Sequence, residues 1–361
     1  MLLLFLACNI GIEDVPMSPS SAETDVPMVA LITIDTWRYD HFSAEHTPNL
    51  WALASQGERF DQAYSPMGLT TPAHASMLTG LATWEHGVEA NNHHGYVLRE
   101  DIPVLPQMFP GWASGAFVSA YPAGPEGGLR RGWDVFDGPE SGERAGTVAI
   151  SRAIDWLPSD QPALLWVHLY EPHGPYVGRG ADERSRYAEE VRLSDTMLGP
   201  LLKVLQKRGA TIVVTSDHGE VLDEERCSYQ HERSISDHVL RVPMFRWSPN
   251  ITASVNTTMV GLSDVPALLR GEAPDVRQLW VAQSGMCESD CAPGCTPAGI
   301  HGRDTLVISE SGSWVQRPGR GVFSRGTPPP EARTRLAEVP KVREPENAAN
   351  DRARSLGYID P

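Results

Sequence analysis

Two apolar segments, far apart in the chain, each lead directly into residues that can bind a metal ion. The first is VALITID, residues 29–35, and the second is TIVVTSDHG, residues 211–219. Both are rich in β-branched residues, which favour strands, and each ends where a strand should stop. Open parallel α/β sheets bind ligands at the carboxyl ends of their strands. The sequence therefore predicts that Asp35, Asp217 and His218 meet in one metal site.

Apolar runs and helical segments alternate along the rest of the chain, as they do in α/β proteins. Near-continuous apolar runs such as ALLWVHLY indicate a parallel sheet that is covered on both faces. Pro200 interrupts the longest helical segment and predicts a kink there. The predicted strands are Val29–Ile34, Gly115–Ala120, Ala163–Tyr170, Thr211–Ser216 and Val242–Trp247, and the predicted helices are Pro48–Gln56, Pro72–Thr79, Ala145–Leu157 and Arg184–Lys207.

Length and charge restrict the possible functions. A chain of 361 residues with 41% hydrophobic residues is globular and can bury one large core or two modest ones. Its formal net charge of −16 disfavours binding to nucleic acid or to anionic membranes through a basic surface. An anionic substrate would need local help from a metal, His or Arg. After the N-terminus, no stretch approaches the roughly 20 apolar residues that a membrane span requires.

The N-terminal run MLLLFLAC, residues 1–8, resembles the end of a bacterial lipoprotein signal, in which the cysteine is lipidated. It lacks a preceding Lys or Arg and is shorter than the usual apolar region. The alternative is a buried or frayed N-terminal strand. Residues 9–27 predict a flexible linker between an anchor and the fold. We therefore expect an exported protein of the cell envelope, held at the membrane only through a lipid on Cys8.

Four further cysteines are Cys227, Cys287, Cys291 and Cys295. An even number is compatible with disulfides in an exported protein, but their pairing stays open. The C-x3-C-x3-C spacing also allows a metal or cluster site. Because this spacing matches no common ligand pattern and lies in a Gly/Pro-rich stretch, a stapled surface loop is the favoured interpretation.

The alternation of apolar runs and helical segments becomes weaker toward the C-terminus. We predict a catalytic domain over residues 28–271 and a small C-terminal region over residues 272–361. This second region holds the cysteine cluster, three consecutive prolines at 328–330 and a charged segment at 333–354, and is predicted to end in a short helix before Leu356.

The segment LTTPAHASMLTG, residues 69–80, carries the candidate nucleophile. Pro72 suits the first position of a helix and Thr71 suits its N-cap. Thr70 would then precede a helix N-terminus, where free backbone N–H groups favour a bound anion. A metal lowers the proton affinity of such a hydroxyl, which makes it a usable nucleophile. The alternative is that both threonines only cap the helix.

Taken together, these segments resemble the sulfatases within the alkaline phosphatase superfamily. The resemblance runs from about Val29 to Leu268. It implies an α/β fold, an alkaline-phosphatase-like sandwich in which helices flank a central, mostly parallel sheet, with a small C-terminal appendage. The matching segments, in chain order, are ITIDTWRYD, HTPNLWALASQGERFDQAY, TTPAHASMLTG, WEHGVEANN, AFVSA, GLRRGWDVFDG, LLWVHLYEPHGPY, VVTSDHGE and DHVLRVPM with His231 ahead of it.

The resemblance also implies roles for individual residues. His74 stands where sulfatases have an Arg four residues after the nucleophile, and Thr70 and His231 are the expected catalytic residues. Because His titrates near neutrality, His74 or His231 could donate the proton to the leaving oxygen. His168 and His86 are left open between direct contact and a buried supporting role. The implied metal ligands are Asp35, Thr70, Asp217 and His218, and the implied substrate-binding residues are His74, Asn91, His173 and His231.

Three departures from the sulfatase pattern bear on the chemistry. Sulfatases convert a Cys or Ser to formylglycine, whereas position 70 is Thr, which cannot be converted. Thr36 stands where a second acidic ligand usually follows Asp35, and His218 replaces a common Asn. The variant looks more like phosphonate monoester hydrolases, phosphodiesterases and phosphoethanolamine transferases, several of which use an unmodified Thr. One divalent cation is expected; Asp and His ligands favour Zn²⁺ or Mn²⁺, with Ca²⁺ possible.

Three functions remain open from the sequence. The first is a metal-dependent hydrolase of sulfuric or phosphoric esters, including phosphodiesters and phosphonates, that acts on an anionic substrate such as a glycan or lipid headgroup. The second is a phosphoethanolamine-type transferase, which the lack of predicted transmembrane helices disfavours. The third is a non-catalytic, metal-binding surface lipoprotein. Nucleic acid is not an expected partner.

Overall fold

The computed structural model describes residues 26–91, 96–224, 231–285, 303–317, 321–327 and 331–339. The helices in these ranges are α1 Pro48–Ala54, α2 Thr70–Thr79, α3 Thr83–His86, α4 Gly146–Trp156, α5 Glu183–Lys207, α6 Asp237–Leu240, α7 Val265–Leu269 and α8 Glu331–Glu338. The strands are β1 Met28–Ile34, β2 Glu58–Phe60, β3 Ala63–Tyr64, β4 Ala113–Val118, β5 Val135–Asp137, β6 Ala163–Leu169, β7 Thr211–Ser216, β8 Met244–Trp247, β9 Ser254–Asn256, β10 Val260–Gly261, β11 Trp280–Gln283, β12 Thr305–Ser309, β13 Gly312–Arg317 and β14 Gly321–Gly326.

An eight-stranded sheet in the order β5-β4-β6-β1-β7-β8-β2-β9 forms the centre of the molecule. The strands β5, β4, β6, β1 and β7 are parallel to one another, whereas β8 pairs antiparallel with both β7 and β2. Ile34 at the end of β1 lies opposite Ser216 at the end of β7. The residues that follow these two strands, Asp35 and Asp217, therefore leave the sheet side by side.

Both faces of the sheet are covered by apolar side chains. Along β1, Leu31 packs into one core cluster with Trp166, and Ile32 packs into the other with Val167. All four side chains are completely buried. This arrangement confirms the predicted mostly parallel sheet flanked by helices, since only a doubly covered sheet needs near-continuous apolar strands.

A second, antiparallel sheet in the order β11-β12-β13-β14 forms the C-terminal appendage. Its first strand packs Trp280 into a third apolar cluster with Val239 and Leu240. The side chain of Trp280 lies so close to Gly261 that a Cβ there would stand 1.9 Å from the indole ring. The appendage is thus packed against the residues that follow the second ligand segment.

Some predicted boundaries differ from the structure. The last predicted strand begins at Met244 rather than Val242, since the Val242 N–H bonds to Ala63 and Pro243 has no N–H to give. Helix α5 continues through Pro200. The cysteines at 8, 227, 287, 291 and 295 and the helix predicted before Leu356 lie outside the described residues. Within the described ranges, no helix combines the length and the apolar character needed to cross a bilayer.

Candidate active site

Asp35, Asp217 and His218 meet at the carboxyl edge of the sheet, just beyond β1 and β7. All three side chains are completely buried, and one ligand atom of each lies within 4.8 Å of the other two. His218 Nε2 is 3.5 Å from Asp217 Oδ2 and 4.0 Å from Asp35 Oδ1. The Nδ1 of His218 donates to the Gly219 carbonyl at 2.9 Å, so Nε2 presents its lone pair to the two carboxylates.

The polar atoms of this cluster fit a divalent cation. Among the described residues, Asp35 Oδ1, Asp217 Oδ2 and His218 Nε2 are buried without a hydrogen-bond partner. Burial and the neighbouring Asp217 carboxylate raise the pKa of Asp35 well above its usual value. Such groups are costly to bury unless a positive charge joins them. A donor set of two carboxylates and one imidazole suits Zn²⁺ or Mn²⁺ better than Ca²⁺, which prefers oxygen ligands.

Thr70 is the first residue of α2, and its hydroxyl donates to Asp35 Oδ2 at 3.3 Å. The predicted helix start at Pro72, with Thr71 as N-cap, was therefore wrong by two residues. The Thr71 hydroxyl instead donates to the Pro122 carbonyl at 2.7 Å, so it is not free to cap the helix. The hydroxyl of Thr70 therefore lies between the cluster of Asp35, Asp217 and His218 and the N-terminal turn of α2.

Asn91 supplies the cap that the sequence assigned to a threonine. Its Oδ1 accepts the backbone N–H of Thr71 at 3.0 Å. The side chain is 9% exposed, so Asn91 lies just beside the nucleophile candidate with little of its surface in solvent. The amide therefore holds the first turn of α2 in place next to the cluster.

His231 and His173 form a pair at the mouth of the site. Their Nε2 atoms are 3.3 Å apart, and His231 also stacks on His218 with 4.3 Å between ring centres. Nδ1 of His231 faces the Gly68 carbonyl at 2.9 Å, and Nδ1 of His173 faces the Gly174 carbonyl at 2.7 Å. Each Nδ1 must therefore carry hydrogen. The two Nε2 atoms therefore face each other and carry no hydrogen while both rings are neutral.

His74 lies beneath the cluster rather than at the mouth. It is completely buried; Nδ1 donates to the Thr70 carbonyl at 2.8 Å, and Nε2 lies 3.1 Å from the Thr33 hydroxyl. Both ring nitrogens therefore have partners within the protein, which leaves neither for the substrate contact that the resemblance implied. Burial lowers the pKa of His74 to about 3, so this ring is neutral. His74 therefore supports the N-terminal turn of α2, and its Nδ1 lies 3.8 Å from Asp217 Oδ2.

The two histidines left open by the sequence are also buried. His168 Nε2 is 3.6 Å from Asp35 Oδ2, at the edge of the cluster, and burial lowers the pKa of this ring to about 4. His86 lies farther away, where it bonds the Ser76 hydroxyl at 2.9 Å and accepts the Val88 N–H at 3.1 Å. His86 is therefore a structural residue beneath α2, whereas His168 belongs to the surroundings of the cluster.

Two residues of the site have no clear signal in the sequence. Thr36 adopts a left-handed conformation with φ 52°, which is strained for a β-branched residue. Its N–H donates to Asp217 Oδ1 at 3.2 Å, and its carbonyl accepts the hydroxyl of Tyr187 at 2.7 Å. This conformation turns the chain after Asp35 toward the carboxylate of Asp217. Tyr187 lies on α5, far from Thr36 in the sequence, so only the fold brings its hydroxyl to this carbonyl.

Comparison with known families agrees with this geometry. Residues 133–269 match the Sulfatase family model, and residues 29–107 match the model for type I phosphodiesterase / nucleotide pyrophosphatase. Each segment holds part of the site: Asp35 and Thr70 lie in the second match, and Asp217, His218 and His231 lie in the first.

Curated relatives are similar over part of their length. A bis(5'-adenosyl)-triphosphatase of Mus musculus is 22% identical over 246 residues, which is 60% of this chain and 54% of the relative. An N-acetylgalactosamine-6-sulfatase of Canis lupus familiaris is 24% identical over 290 residues, which is 62% of this chain and 54% of the relative. The chain therefore spans about half the length of the curated relatives it matches.

Solved structures share the fold over most of the chain. A phosphonate monoester hydrolase from Silicibacter pomeroyi has a TM-score of 0.65 at 17% identity, with 92% of this chain and 94% of that chain covered. The neighbours also include an alkaline phosphatase superfamily protein from Vibrio parahaemolyticus, which confirms the predicted fold class. The homologues are sulfatases, phosphonate monoester hydrolases and nucleotide pyrophosphatase/phosphodiesterases, all of them ester hydrolases. Residues 133–269 thus match the Sulfatase family model, and the chain shares the fold of these solved structures.

Proposed function

We propose that this protein is a metal-dependent hydrolase of sulfuric or phosphoric esters with Thr70 as its nucleophile. The observation that carries the proposal is the Thr70 hydroxyl 3.3 Å from Asp35 Oδ2, beside buried ligand atoms that have no partner in the described residues. A merely capping threonine would not need three such atoms next to its hydroxyl. The ester-hydrolase relatives support the same reaction class.

Asp35, Asp217 and His218 would hold the cation, which when bound supplies positive charge that favours an ionised Thr70 and an anionic ester. Thr70 Oγ1 attacks the phosphorus or sulfur atom, and the bond from that atom to the leaving oxygen breaks. His231, which is paired with His173, would protonate the leaving oxygen. Water then displaces the group from Thr70, a proton from that water returns to the Thr70 oxygen, and a phosphate monoester, a phosphonate or sulfate is released. Asn91 holds the N-terminal turn of α2 beside the anion by accepting the Thr71 N–H.

The nucleophile favours phosphorus esters within this class. A threonine cannot become formylglycine, so a sulfated or phosphorylated Thr70 must be cleared by displacement. A nucleotide triphosphatase, a glycan sulfatase and a phosphonate monoester hydrolase are all among the relatives. We therefore place phosphodiesters and phosphonate monoesters first and sulfate monoesters second.

An ester panel on wild type and Thr70→Ala tests the proposal. A nitrophenyl phosphodiester, a nitrophenyl phosphonate and a nitrophenyl sulfate are assayed as substrates with Zn²⁺ or Mn²⁺. Cation binding is measured by calorimetry. We expect Thr70→Ala to lower turnover at least about 10³-fold while it still binds the cation. Thr71→Ala, whose hydroxyl faces a carbonyl, is the matched control and should retain most of the activity.

Three outcomes would overturn the proposal. Full activity in Thr70→Ala would show that another group attacks the ester. Tight cation binding by wild type without turnover of any ester would support the alternative, a non-catalytic metal-binding lipoprotein. Transfer of a headgroup to a sugar or lipid acceptor, with little hydrolysis, would instead indicate a phosphoethanolamine-type transferase.

We further propose that the protein is exported and anchored in the cell envelope by a lipid on Cys8. The apolar run before Cys8 and the polar residues 9–27 after it support this location. Mass analysis of the mature N-terminus tests it: a diacylglyceryl cysteine is expected, and an intact Met1 would contradict it.

A further inference from the structure

The hydroxyl of Thr33 lies beneath the site, where three ring nitrogens meet it. Trp166 Nε1 is 3.1 Å away, His74 Nε2 is 3.1 Å away and His168 Nδ1 is 3.0 Å away. A hydroxyl donates one hydrogen bond and accepts two, and an indole nitrogen only donates. One of the two histidines must therefore accept the hydrogen of Thr33, and the other must donate to it.

The nucleophile turn decides which histidine accepts. Nδ1 of His74 is 2.8 Å from the Thr70 carbonyl, which can only accept, so the hydrogen of this neutral ring is on Nδ1. Nε2 of His74 then accepts the hydrogen of Thr33. The remaining lone pair of Thr33 accepts from Nδ1 of His168.

The assignment leaves Nε2 of His168 without hydrogen. This atom is buried without a hydrogen-bond partner among the described residues, and it faces Asp35 Oδ2 at 3.6 Å. An imidazole lone pair and a carboxylate oxygen repel each other at that distance unless a proton on the carboxyl group or a cation lies between them. The cation of the proposed function would offset that repulsion, so this part of the inference rests on the proposed function.

We infer that Thr33 is a positioning residue that holds His168 with a bare Nε2 facing the cation site, and that this nitrogen favours Zn²⁺ or Mn²⁺ over Ca²⁺. The nitrogen adds to the imidazole of His218, and nitrogen donors suit transition metals, whereas Ca²⁺ gains little from them. His168 acts here on the cation or on water held by it. The preference for Zn²⁺ or Mn²⁺ over Ca²⁺ therefore depends on His168 in addition to the ligands Asp35, Asp217 and His218.

Thr33→Val removes the hydroxyl and keeps the shape of the side chain. We expect its affinity for Mn²⁺ or Zn²⁺ to fall about tenfold or more, as is typical when outer partners of a metal site are lost. Its affinity for Ca²⁺ should change less than about threefold, since oxygen ligands dominate that ion. Thr33→Ser restores the hydroxyl and should bind both ions nearly as wild type does.

A matched control lies on the neighbouring strand. Thr215 is the register partner of Thr33 and is equally buried. Within the described residues, its hydroxyl has the carbonyls of Ser216 and Pro243 as its partners. Thr215→Val removes a hydroxyl at the same depth without touching a histidine. If Thr215→Val loses as much Mn²⁺ affinity as Thr33→Val, or if Thr33→Val weakens Ca²⁺ equally, the effect is a general loss of structure and the inference is wrong.

Nitrogen NMR of the metal-free protein tests the assignment without any cation or substrate. In wild type labelled with ¹⁵N-histidine, we expect protonated Nδ1 and bare Nε2 for both His168 and His74. A proton on Nε2 of His168 would overturn the inference, even if Thr33→Val does not fold. If the protein binds no cation at all, the proposed function fails, whereas this spectrum still decides the role of Thr33.

Discussion

The floor and the mouth of the candidate site are built in different ways. At the floor, Asp35, Asp217 and His218 follow two paired strands, are completely buried and carry ligand atoms without protein partners. At the mouth, His173 and His231 lie in loops and bond to backbone carbonyls. In the proposed function the two parts have separate tasks: the floor would hold the cation, and the mouth would supply a proton to the leaving oxygen. Variants of each part should therefore fail in different measurements.

Asp217→Asn, at the floor, should have the largest effect. Loss of one carboxylate should weaken Mn²⁺ or Zn²⁺ binding by more than about 100-fold, the upper range for loss of an outer partner, and abolish turnover. Calorimetry and the ester assay measure the two losses separately. The exposed Asp223→Asn, in the loop that follows, is the matched control and should change neither. Unaltered cation affinity in Asp217→Asn would remove this residue from the floor.

His231→Asn, at the mouth, should change turnover without changing cation affinity by more than about threefold. For esters with alkyl leaving groups, loss of a proton donor should lower kcat by about 10²–10⁴-fold. For nitrophenyl esters the loss should be much smaller, because that leaving oxygen needs no proton. Equal losses for both kinds of ester would contradict the assigned role, and a loss of cation binding would place His231 at the floor.

We expect the smallest effect from the buried histidines, which should make the stability of the protein depend on pH. Burial lowers the pKa of His86 from 6.5 to about 3 in the folded protein. Between these values the unfolded chain binds a proton that the folded chain does not, so stability is lost as the pH falls below about 6.5. His86→Gln should reduce that slope by up to about 1.4 kcal/mol per pH unit, measured by urea unfolding between pH 7 and pH 5. An unchanged slope would show that His86 is already protonated when folded.

The convergence of Asp35, Asp217 and His218 could be read from the sequence because parallel strand ends meet at one edge of a sheet. The role of His74 could not be read from the sequence. A residue four positions after Thr70 lies on the same face of α2, but only the tilt of the helix decides whether that face points to the mouth or the floor. The structure directs it to the floor, where Thr33 and the Thr70 carbonyl occupy its nitrogens.

Long-range contacts also explain what the sequence missed in the fold. Thr71 looks like an N-cap because of its chemistry, yet Asn91, 20 residues later, caps the helix. The short strands β2 and β9 have too few residues to show a period, and they form because β8 offers an edge for pairing. The antiparallel C-terminal sheet likewise depends on pairing between neighbouring strands more than on an apolar pattern.

The register between β1 and β7 has a consequence for how the site can change. Asp35 and Asp217 stand one residue beyond the paired Ile34 and Ser216, so backbone hydrogen bonds set the distance between the two carboxylates. A slip of one residue would send one of them to the opposite face of the sheet. Loops around the mouth can therefore vary in length, and admit new substrates, while the spacing of the charges is preserved for as long as the sheet stays folded.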